Sequence, residues 1–152
     1  MGILDSTLFP PISVIYNTKP NFPARIYANE EKKLAFFVSE AILESSAYRQ
    51  IAHTILKWSN YNKCKTVISV ASREIEKEDR TKKESSLYVI SNSQIIMKEL
   101  NDIGILPLKN GTVNGIPGIL LNESNWKNID VVVFVVDIIS GVPDFRAAAN
   151  VA

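Results

Sequence analysis

Three apolar runs separated by segments of helical period constrain this chain more than any other feature. KTVISVA (65–71), LYVIS (87–91) and DVVVFVVD (130–137) are nearly continuous in β-branched and aromatic residues. That texture belongs to strands buried on both faces of a parallel sheet. Between them the period changes. Tyr48, Ile51, Ala52, Ile55 and Trp58 fall at helical spacing after Ser45 and Ser46, either of which can cap the helix. SQIIMKELNDIG (93–104) predicts a second helix, which Gly104 can end in a left-handed C-cap. A third helix is expected over about 117–125, after ILPL (105–108), a short strand whose Pro107 suits an edge or an end. Parallel strands need crossover connections, so this alternation predicts an α/β fold. The expected sheet is mainly parallel and doubly wound, with helices on both faces.

The opening of the chain differs. ISVIY (12–16) reads as a strand, NTKPNFP (17–23) as a turn, and ARIYA (24–28) and LAFFV (34–38) as strands flanking the loop NEEKK (29–33). This predicts an antiparallel hairpin at one margin of the sheet. The stretch 72–86 holds five basic and five acidic residues with no apolar period beyond Ile75, and reads as a solvated face. SGVPDFRAAANVA (140–152) reads as a loop and the start of a helix, with Pro143 in its first turn. No repeat interrupts the pattern, so residues 1–152 are expected to form one α/β domain.

Seventeen basic residues against sixteen acidic ones leave a net charge of +1. Nucleic-acid binding normally needs a concentrated basic face, and a membrane surface a polybasic cluster; neither partner is expected. The apolar run 131–136 is about a third of the length a membrane span requires. A single cysteine, Cys64, and a single histidine, His53, leave no multi-cysteine or His-rich metal site. One thiol without a bridge suits a reducing cytoplasm.

The candidate sites gather near the glycine-rich stretch NGTVNGIPG (110–118). Gly115 and Gly118 bracket Pro117, and the amides of a helix start can bind an anion. No P-loop or dinucleotide fingerprint is present, however. The preferred reading is a tight strand-to-helix turn. Asp137 is expected to end the last strand and Asp144 to begin the following helix. Ligands of open α/β sheets bind outside the carboxyl ends of the strands, so Asp137, Asp144 and the Asn114 loop could line one crevice. Glu40 and Glu44 read as surface carboxylates, His53 as an exposed side chain and Cys64 as structural. No Ser-His-Asp set is visible.

Several segments together resemble the proteasome-assembly-chaperone family, which holds the second eukaryotic proteasome assembly chaperone and its archaeal and bacterial relatives. They are FPPISVIYNTKPNFPARIY, AYRQIAHTILKW, LYVISN, GTVNGIPGILLNE and GVPDFRAAA, spread over 9–149. The most specific are the motif from Gly111 to Glu123 and PDFRAAA (143–149). The resemblance implies a phosphorylase-like fold, no catalytic set, no cofactor, and an assembly role in which proteasome α-type subunits are bound, often by a homo-oligomer. Members usually begin with a G-x-P-G-x-G strand–turn–helix, and archaeal members can dock through a C-terminal tail. Neither is seen in this sequence, which leads us to expect a chain lacking its N-terminal strand and helix and its C-terminal helices. The ligand- or partner-binding candidates are Asn114, Gly115, Gly118, Glu123, Asp137 and Asp144. The rival function is a nucleoside- or phosphate-binding, phosphorylase-like enzyme using the crevice at the strand ends.

Overall fold

A computed structural model describes residues 2–3, 9–75, 87–125, 128–139 and 149. The chain divides into two compact units, 1–51 and 52–152.

The first unit is antiparallel. β1 (Gly2–Ile3), β4 (Ala24–Asn29) and β5 (Leu34–Ser39) form one sheet in the order β1-β4-β5. β2 (Val14–Tyr16) and β3 (Lys19–Asn21) form a separate two-stranded ribbon. NTKPNFP is therefore more than a turn. Asn17 and Thr18 both take positive φ, 48° and 64°. That pattern makes the tight turn whose twist matches a hairpin, so the chain doubles back at once and Lys19 pairs with Tyr16. Pro20 is tolerated in β3 because a two-stranded ribbon consists only of edges. The expected hairpin across NEEKK forms between β4 and β5, with Ala24 opposite Ser39 and Asn29 opposite Leu34. Asn29 Oδ1 closes its loop by accepting the Lys32 amide at 2.8 Å.

α1 (Ser45–Tyr61) begins at the predicted serine and spans the boundary between the units. The second unit contains β6 (Thr66–Ile75), β7 (Leu87–Ser91), α2 (Gln94–Asp102), β8 (Leu106–Pro107), α3 (Gly115–Ser124) and β9 (Asp130–Ile139). Its sheet runs β6-β9-β7-β8. The α/β class stands, and the sheet is mainly parallel: β6–β9 and β7–β8 are parallel, while β7–β9 is antiparallel. β8 lies at an edge, as its proline requires.

β9 is a central strand, and Val131, Val132, Val133, Val135 and Val136 are all buried. Its apolar run is thus covered on both faces, the condition for such a run in a parallel sheet. β6 departs from expectation. It sits at the sheet edge and alternates, leaving Ile68 and Val70 exposed. An edge strand has one neighbour, so an apolar run alone does not guarantee cover on both sides. β6 also continues through Ser72–Ile75, which had read as part of a solvated face; residues 76–86 of that stretch lie outside the described residues.

α2 ends as Gly104 predicts. Gly104 has φ 91°, its amide donates to Asn101 O at 3.0 Å, and the Ile105 amide donates to Leu100 O at 3.0 Å. This reciprocal pair satisfies carbonyls that the helix end would otherwise strand. α3 packs on β9 through its buried Leu120 and Ser124.

Candidate functional site

The glycine-rich turn is shaped by its own chain. α3 begins at Gly115, two residues earlier than the sequence suggests, with Asn114 at the N-cap in extended conformation. The Asn114 side chain makes no capping hydrogen bond. Gly115 takes φ 71°, a left-handed conformation that favours glycine. Gly118 serves a different purpose. A Cβ placed there would lie 2.1 Å from the Val113 carbonyl oxygen, so the strand-to-helix turn closes only over a bare Cα. Both glycines therefore bring the backbone of 113–118 against itself.

Glu123 projects from α3 toward α1, where its carboxylate lies 3.3 Å from His53 Nε2. His53 is half exposed, and the pair ties the two helices across their polar sides. Asp137 lies within β9 and not at its end, because the strand runs on to Ile139. It is buried, yet not alone. Arg73 of β6 donates from Nε to Asp137 Oδ1 at 2.7 Å and from Nη2 to Oδ2 at 3.0 Å. The register explains the encounter, since Arg73 is the direct parallel partner of Asp137. The guanidinium carbon also lies 4.8 Å from the centre of the Tyr88 ring, contributed by β7 beyond β9. The hydrogen bond to Asp137 raises the Arg73 pKa above its ordinary value; burial opposes it, and the charges of Asp137 and contacts with Tyr88 reinforce it.

Asp144 lies outside the described residues. Among the described residues no hydrogen bond or ion pair joins Asp137 to Asn114, Gly115 or Gly118. No described group of three or more His, Cys, Asp or Glu side chains could hold a metal ion, and no described helix is long and apolar enough to cross a membrane.

Arg73 escaped the sequence reading because it opens a charged run. The available signal was alternation: Val67, Ser69, Ala71, Arg73 and Ile75 share one parity, so the strand period continues into the charges.

A second cluster lies in the first unit. Glu40 accepts hydrogen bonds from Arg25 and from the Tyr16 hydroxyl. Arg25 is only 5% exposed, and its guanidinium carbon lies 5.4 Å from the Tyr16 ring centre and 5.7 Å from that of Tyr27. Its Nε is buried without a hydrogen-bond partner, and the two ring faces compensate in part through cation–π attraction. Around it the register places Ile3 and Val38 in one cross-strand row, Tyr27 and Phe36 in the next, and Leu34 beyond. All five are exposed, Phe36 most at 58%. One face of this sheet thus carries apolar side chains around a single buried cation.

Comparison with known proteins adds the remaining finding. The family model described as PAC2 family matches residues 1–152. No curated protein matches the chain. Among solved structures, Pyrococcus furiosus PbaA, described as an archaeal homolog of proteasome-assembly chaperone, is 29% identical with a TM-score of 0.87, over 98% of this chain and 60% of that one. A Thermoplasma acidophilum protein of unknown function shares the fold at 20% identity and TM-score 0.84, over 99% of this chain and 60% of its own. Pyrococcus furiosus PbaB, described as an archaeal proteasome activator, shares it at 11% identity and TM-score 0.72, covering 95% of this chain and 65% of its own. The chain therefore spans less than two thirds of the length of these relatives.

Proposed function

The chain belongs to the PAC2 family, and from that membership we propose that it is a non-catalytic, chaperone-like assembly protein of the cytoplasm. Its partners in this reading are proteasome α-type subunits, and copies of the chain associate with one another. The observation that carries the proposal is the whole-length family match. The likeness to PbaA, whose description names a proteasome-assembly chaperone, supports the choice of partner.

The distribution of apolar surface supports a binding role over a catalytic one. Ten of the sixteen large exposed apolar side chains among the described residues fall within 1–51, about a third of the chain. Large contiguous apolar patches on soluble proteins mark interaction sites. The residues on the sheet face around Arg25 fit the centre of such a patch, because aromatic side chains supply much of the binding energy of protein interfaces.

The experiment is direct binding of the purified protein to purified proteasome α-type subunits, with sedimentation velocity on the protein alone. Binding that weakens at least tenfold in Phe36→Ser supports the proposal. A monomer that binds no α-type subunit overturns it.

A further inference from the structure

We draw no further inference here: the strongest candidate, the exposed apolar patch of Ile68 and Val70 on the edge strand β6, carries nothing, because no described residue shows what covers it.

Discussion

The two arginine–carboxylate pairs of this molecule are built in opposite ways. In the 1–51 unit the cation is the buried partner: Arg25 is 5% exposed and its acceptor Glu40 is 25% exposed. In the 52–152 unit the anion is buried: Asp137 is 4% exposed and Arg73 is 34% exposed. The surroundings differ to match. Arg25 lies among tyrosine rings on a sheet face of exposed apolar side chains, whereas Asp137 lies in a strand whose valines form the core. Of the fifteen buried apolar residues described, eleven fall in the second unit. The first unit offers its apolar side chains to solvent and the second packs them away. Exposed and buried apolar side chains are thus unevenly distributed along the chain.

The largest expected effect tests the two pairs against each other. Arg73→Met should destabilise the protein by about 3–5 kcal/mol in urea unfolding, because it leaves the Asp137 carboxylate buried without a partner. Arg25→Met should cost about 1 kcal/mol or less, since Glu40 can return to water and an unpartnered buried Nε–H is removed. Equal losses would break the comparison. The sign of the pH response sharpens it. Arg73 is held above its ordinary pKa, chiefly by its hydrogen bond to Asp137. Its contribution is therefore complete below the unfolded value and is lost only as pH rises through the higher folded value. Both values lie beyond ordinary buffers, so titration of Arg73 itself should add no pH dependence to the urea midpoint of the unaltered protein between about pH 7 and about pH 9.

Packing gives the next effect. Leu120, 2% exposed on the inner side of α3, should cost about 3 kcal/mol when cut to alanine, read from the urea midpoint. Gly118→Ala should cost about 2 kcal/mol, because its new methyl meets the Val113 carbonyl and the turn must open. A neutral result there would mean that α3 can shift freely on its sheet. The smallest effect belongs to the exposed apolar face: Phe36→Ser should change stability by less than about 0.5 kcal/mol in the same assay. A larger loss would place Phe36 in a core and count against the proposed binding role of this face.

Much of the fold was legible along the chain. Three apolar runs and three helical periods led to β6, β7, β9 and α1–α3, and Gly104 marked the end of α2 to the residue. NEEKK marked the β4–β5 hairpin because a polar centre lies between two strand-like flanks, ARIYA and LAFFV. β3 was hidden by its proline, and the far end of β6 by its charges. Within the candidate site, the need for glycine at 115 and 118 was legible, as was the turn into a helix. The partners of Glu123 and Asp137 were not: His53 is 70 positions from Glu123, and Arg73 is 64 from Asp137.

Local order in the sequence therefore determined which segments become strands or helices, because period and turn chemistry act over a few neighbouring residues. Only the tertiary structure decided which strand is central, which is an edge, and which charge is buried. Those outcomes depend on register and strand order, which bring Arg73 beside Asp137 and leave one face of the β1-β4-β5 sheet open to solvent. Residues far apart in the chain carry no local signal of meeting.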